Sequence, residues 1–170
     1  MDIFIKLFLT TISICRFRNG PQALDYSPGF LRLAVYIYIA VNSVLMLLSA
    51  DWVAGLVQVF VQLGLLAGFT WGVLYVFGNT PRFSQTLTAL LSVDSLISFC
   101  SLPVVGFLKS EILPEKVFLF LLVIMLWHWG VMGHVFRHAL SRSLVSGLGL
   151  SFLFFYGSYY VVFLLQRTIS

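Results

Sequence analysis

Five long apolar runs, each close to the length of a membrane span and parted by short polar breaks, dominate this sequence. A hydrocarbon core of about 30 Å is crossed by roughly 20 helical residues, so each run matches one transmembrane helix. The runs cover residues 30–49, 52–77, 83–105, 117–136 and 144–166. Inside a bilayer every backbone N–H and C=O must find a partner within the protein, which leaves helices or closed barrels. Unbroken apolar runs of this length lack the in–out alternation of barrel strands. The expected fold class is all-α: a polytopic membrane bundle of five transmembrane helices.

Composition agrees with that solvent. Of 170 residues, 60% are apolar and 9% charged, where a soluble domain carries about 25% charge. The breaks are Ala50-Asp51, residues 78–82, residues 106–116 and residues 137–143. Connections this short make each helix antiparallel to the one before it. The second run is longer than a span needs and should tilt or protrude. The two cysteines, Cys15 and Cys100, fall in the N-terminal segment and inside the third run, so no disulfide framework is implied.

Basic residues divide unevenly between the two ends. Lys6, Arg16, Arg18, Arg32, Arg82, Arg137 and Arg142 share one side, while Lys109, Lys116 and Arg167 share the other. The positive-inside rule then puts the N-terminus in the cytoplasm and the C-terminus on the opposite side of the membrane. These bases form no continuous patch, so nucleic acid is not an expected partner.

Residues 1–29 form a separate N-terminal segment ahead of the membrane domain at 30–170. Asp2, Lys6 and the lack of an A-x-A site argue against a cleaved signal peptide. Lys6, Thr10, Ser13 and Arg16 recur at helical spacing opposite Phe4, Ile5, Phe8, Ile12 and Phe17. That is the pattern of an amphipathic helix at the membrane interface, with Arg16 and Arg18 at acidic headgroups. A short helix packed on the bundle fits the same spacing. Asn19-Gly20-Pro21 ends the segment, and Ser27-Pro28-Gly29 starts the next helix.

Two stripes of small residues bear on packing. Gly64, Gly68 and Gly72 stand four apart in the second run; Ser143, Gly147 and Ser151 do so in the last. Small residues let backbones approach closely where lipid supplies no hydrophobic drive between helices. Packing within the bundle is the first expectation for both, and association with a second copy or another membrane protein is the alternative.

Polar groups also fall at one depth. An ionisable side chain at mid-bilayer costs about 2.5–3.5 kcal/mol on insertion scales, so it needs a partner or a task. At 1.5 Å per residue, Asp94 lies ~16 Å from the start of its run and His128 ~16 Å from the start of the next. Antiparallel neighbours then bring both near the midplane, with Asn42 and Gln62 at comparable depth, and Ser98 and Ser101 extend the Asp94 face. Three readings stay open: a hydrogen-bond network that fixes helix register, a proton or ion pathway with Asp94 titrating and His128 relaying, and a substrate or headgroup site.

His134 and His138, one helical turn apart, are the candidates for a metal or haem, and thus for a redox subunit. They have no third ligand at matching depth, and interfacial snorkelling among Arg137 and Arg142 accounts for them. Trp127 and Trp129, beside His128, read as core packing. Glu111 and Glu115 beside Lys109 and Lys116 read as a solvated, salt-bridged edge. No nucleophile elbow, phosphate loop, zinc cluster or paired carboxylate is present. Neither an enzyme nor a cofactor is expected.

Several segments resemble the Yip family of five-span membrane proteins, especially its small bacterial members. They are Arg82-Phe83-Ser84-Gln85-Thr86-Leu87-Thr88-Ala89-Leu90, Leu102-Pro103, and Gly133-His134-Val135-Phe136-Arg137-His138-Ala139-Leu140. Asp25-Tyr26-Ser27-Pro28 is similar to the Asp-Leu-Tyr-Gly-Pro motif of eukaryotic members, with one residue missing and serine in place of glycine. The resemblance runs from about Tyr26 to Gln166. It implies a non-enzymatic membrane scaffold that binds other membrane components, and it carries over no catalytic residue. The altered motif gives no ground for carrying over GTPase binding.

Overall fold

In the computed structural model, the described residues are 3–47, 52–105 and 115–169. They form six α-helices and, among the described residues, no strand. The helices are α1 (Ile3–Cys15), α2 (Pro28–Leu47), α3 (Trp52–Val76), α4 (Phe83–Val105), α5 (Glu115–Leu140) and α6 (Leu144–Ile169). Five of them, α2 to α6, are long and apolar enough to cross a membrane. The protein is a multi-pass helical bundle. The connection at Ala50-Asp51 and most of the loop at 106–116, with Lys109 and Glu111, lie outside the described residues.

One helix is central. Half of the most apolar window of α4 is buried, against 17–22% for each of the other four spans. Its composition explains this. Thr86, Thr88 and Ser95 each turn a hydroxyl back onto the carbonyl four residues earlier, at 2.8, 2.7 and 2.6 Å. Such small, self-satisfied side chains let neighbours close in without stranding a polar group. Leu90, Leu91 and Val93 of α4 meet Phe30, Ala34 and Tyr38 of α2 and Val131, Val135 and Phe136 of α5 in one core. α3 lies to the side, against α2, α6 and α4.

The largest shift from the expected boundaries is at the end of α5. α5 continues through Arg137 and His138 to Leu140, four residues past its expected end. Basic side chains in a last turn oppose the negative pole of the helix, so they extend α5 rather than break it. α3, α5 and α1 then stop in the same manner, with a residue in the left-handed region at Gly78 (φ 69), Ser141 (φ 53) and Phe17 (φ 58). In each, the amide after that residue bonds five residues back: Asn79 to Leu74, Arg142 to Arg137, Arg18 to Ser13. This cap satisfies the last carbonyls of the helix. Phe17 is a costly residue for that conformation. Its ring is held edge-on to His134, with centroids 5.3 Å apart.

Of the two readings of the N-terminal segment, the geometry is that of a helix packed on the bundle. Leu7, Thr11, Ile14 and Cys15 are buried, chiefly against α4. Trp127 Nε1 donates to the Cys15 carbonyl at 3.0 Å, and Lys6 pairs with Asp25. Burial, with the Cys100 thiol adding to it, pushes the Cys15 thiol up to about 12. Both cysteines are free. The outer face of α1 still exposes Phe4, Ile5, Phe8 and Leu9, which suits contact with lipid.

Candidate functional site

Depth arithmetic places three polar residues in one cluster. Asn42 Nδ2 donates to the Tyr38 carbonyl at 3.0 Å and to Asp94 Oδ2 at 3.3 Å. Its Oδ1 accepts from Ser98 Oγ at 3.2 Å. Both amide hydrogens of Asn42 are thus used, which fixes the amide with its nitrogen toward the carboxylate. From α5, His128 Nε2 stands 3.3 Å from Asp94 Oδ1, near enough to pair by charge but without the alignment of a hydrogen bond. The cluster ties α2, α4 and α5 together at one level.

Gln62 stands apart. It lies inside α3, and its side chain takes no part in the hydrogen bonds around Asn42 and Asp94. Asp94 meets Asn42 of α2 and His128 of α5, and no side chain of α3 joins them. Equal depth is not contact. Ser101 turns its hydroxyl onto the Ser98 carbonyl at 2.7 Å instead of joining the cluster.

The pair is reachable from the side of the bundle. The side chains of His128 and Asp94 are 16% and 20% exposed. A groove of about 500 Å³ between α5 and α6, lined by Met125, Trp129, Phe152, Phe155 and Tyr159, ends on His128. The Phe155 ring meets the imidazole edge-on at 5.1 Å. An apolar, aromatic approach to a paired carboxylate and imidazole suits a membrane-dissolved species or a proton, not a soluble ion.

The two small-residue stripes part company. On α6, a Cβ added at Gly147 would collide with the Gly133 carbonyl oxygen and stand 2.9 Å from the Arg137 amide nitrogen. One at Gly133 would stand 3.0 Å from the Leu148 Cα. Ser151 Oγ reaches the Trp129 carbonyl at 3.3 Å, and Trp129 Nε1 donates to the Leu148 carbonyl at 3.0 Å. Ser143 takes a different role, accepting from the Ser146 amide at 3.3 Å as the N-cap of α6. On α3, a Cβ added at Gly64, Gly68 or Gly72 would meet nothing within 4 Å. Intramolecular packing, the first expectation for that stripe, does not occur among the described residues.

His134 and His138 face each other at 4.5 Å between ring centroids, yet both are engaged. His134 Nε2 lies 3.1 Å from the Asn19 carbonyl and His138 Nδ1 lies 3.4 Å from Gln22 Nε2. They clamp the N-terminal segment to the end of α5. No group of three His, Cys, Asp or Glu side chains converges among the described residues. Trp127 and Trp129 do more than fill the core, since each indole N–H pins a neighbouring segment's carbonyl. The sequence offered no sign of those two bonds.

Comparison with protein-family models, curated proteins and solved structures finds no match to this chain.

Proposed function

We propose that this protein is a non-enzymatic multi-pass membrane component that docks a second transmembrane helix along Gly64, Gly68 and Gly72 of α3. One observation carries the reading: the stripe is open, with nothing within 4 Å of any of the three Cβ positions. Gaining contact in lipid depends on close packing, and a bare glycine face is the surface best made for it. The partner is a second copy of the chain or another membrane protein, in keeping with the scaffold role that the Yip-like segments imply. The excess of bases at the end where α2, α4 and α6 begin supports a cytoplasmic N-terminus in a bacterial inner membrane.

Disulfide trapping tests the docking face. Cys15 is buried with its thiol held protonated, so only Cys100 needs replacing by serine before Gly68→Cys is introduced. Oxidation of native membranes should give a covalent adduct, and adding Gly64→Leu should suppress it. A Gly68→Cys chain that stays monomeric under every oxidant would remove the proposal.

A second reading rests on the contact between Asp94 and His128 at the end of an aromatic groove. On this reading the pair passes protons across the bilayer, Asp94 taking and releasing them and His128 relaying. Proton flux into liposomes holding the purified chain should then fall with Asp94→Asn. Equal flux from variant and parent would end this reading without touching the first.

A further inference from the structure

At the end of the bundle where α4 begins and α5 ends, a cavity of about 420 Å³ opens between those helices and the turn at Pro21–Ala23. Arg82, Arg137, Arg142, His138, Gln22 and Gln85 line it. Three arginines thus border one cavity to whose wall no carboxylate contributes. The acids among the described residues are committed elsewhere. Asp25 pairs with Lys6, Asp94 lies mid-helix beside His128, and Glu115 begins α5 at the far end. Among the described residues, none of the three arginines has an acidic partner.

The walls are held in place without using up the charge. Arg82 Nη1 donates to the Ala139 carbonyl at 3.1 Å and to Ser141 Oγ at 3.1 Å, closing the end of α5. The rest of its fork has no partner among the described residues. The Arg142 guanidinium meets only the Phe77 ring, at 5.6 Å, and the Arg137 guanidinium has no hydrogen-bond partner among the described residues. Gln85 Nε2 is fixed on the Leu24 carbonyl at 2.9 Å, and Gln22 on His138. The result is a preformed, donor-rich basic cavity with no acidic partner among the described residues. At about 420 Å³ it has room for a phosphate and its ester substituent.

We propose that this cavity binds a phosphate-bearing anion: the headgroup of an anionic phospholipid or a soluble phosphate of the same charge. Guanidinium forks match phosphate oxygens in pairs, and basic pockets between transmembrane helices at the charged surface suit such headgroups. The site is independent of the α3 stripe and of the Asp94 cluster, so it stands or falls without them.

The test uses the full chain in a neutral detergent, titrated separately with phosphatidylglycerol, phosphatidylcholine and inorganic phosphate. Bound adducts are counted by native mass spectrometry. Phosphatidylglycerol should outbind phosphatidylcholine, and Arg137→Gln with Arg142→Gln should weaken it about 30-fold, roughly fivefold for each charge removed. Arg16→Gln with Arg18→Gln, equal in charge but outside the cavity, should leave it nearly unchanged. Inorganic phosphate binding with the same dependence on Arg137 and Arg142 assigns the site to a soluble phosphate; phosphatidylglycerol alone assigns it to lipid. Equal binding of the two lipids without a phosphate response overturns the proposal, as does an equal loss in both double variants. If the cavity variant does not fold, Arg142→Gln alone, whose side chain touches only Phe77, should still give about a fivefold loss, and no loss overturns the proposal.

Discussion

On α6, Gly147 lies so close to α5 that its hydrogen occupies space no methyl could share with the Gly133 carbonyl. On α3, Gly64, Gly68 and Gly72 repeat the same four-residue spacing and face nothing. The difference lies in what stands opposite. α5 offers α6 a matching glycine, the Trp129 carbonyl as an acceptor for Ser151 and an indole that reaches back to Leu148. The two helices are also joined by a tight turn at Ser141, so closing them together costs little chain entropy. α3 sits at the edge of the bundle, where its buried stripe, Gly55, Val59, Leu66, Thr70 and Leu74, already serves its neighbours. A small-residue stripe therefore marks a surface able to accept a helix and leaves open which helix it accepts.

The largest expected effect comes from Gly147→Ala. The added methyl meets backbone atoms of α5, the Gly133 oxygen and the Arg137 nitrogen, which cannot swing aside as a side-chain tip does. The helices must separate, which also lengthens the Trp129 and Ser151 bonds. Overpacking of this kind costs about 1–3 kcal/mol and sometimes more. Unfolding of the detergent-solubilised chain, followed by tryptophan fluorescence, should move to lower temperature by several degrees. An unchanged midpoint would break the comparison at its firmest point, since the α5–α6 contact would then not be the close one described.

How far this could be read ahead of the structure varies with the kind of information each feature needs. The limits of α4 follow from Pro81-Arg82 on one side and the polar loop on the other, and they fall where expected. The end of α5 does not, because Arg137 and His138 look like loop residues until the pole of the helix they favour is considered. Asp94, Asn42 and His128 share a depth that residue counting gives directly, and they meet because α4 lies between α2 and α5. Gln62 has the same depth but lies on α3, which adds no side chain to the cluster. Height along a helix is written in the sequence; the azimuth of one helix about another is not. The basic cavity was hidden for the same reason. Arg82, Arg137 and Arg142 were legible as bases at one end, but that they border one cavity with Gln22 depends on how the turn after α1 folds under α5.

Gly68→Ala should do the least, and in the opposite direction. In a detergent-dispersed monomer the new methyl has open space, so no packing term opposes it. Alanine restricts the unfolded backbone more than glycine, and inside a helix that exchange is worth up to about 1 kcal/mol in favour of the fold. The unfolding midpoint should therefore stay level or rise slightly. In membranes the same methyl sits on the proposed docking face, where it holds the partner's backbone away, and the disulfide-trapped adduct of a Gly64→Cys chain lacking Cys100 should diminish. The two measurements are informative as a pair. A monomer destabilised by Gly68→Ala would place an intramolecular neighbour on the stripe and erase its contrast with Gly147. A monomer left intact while the adduct is lost would make α3 the face that the fold keeps free for a second helix.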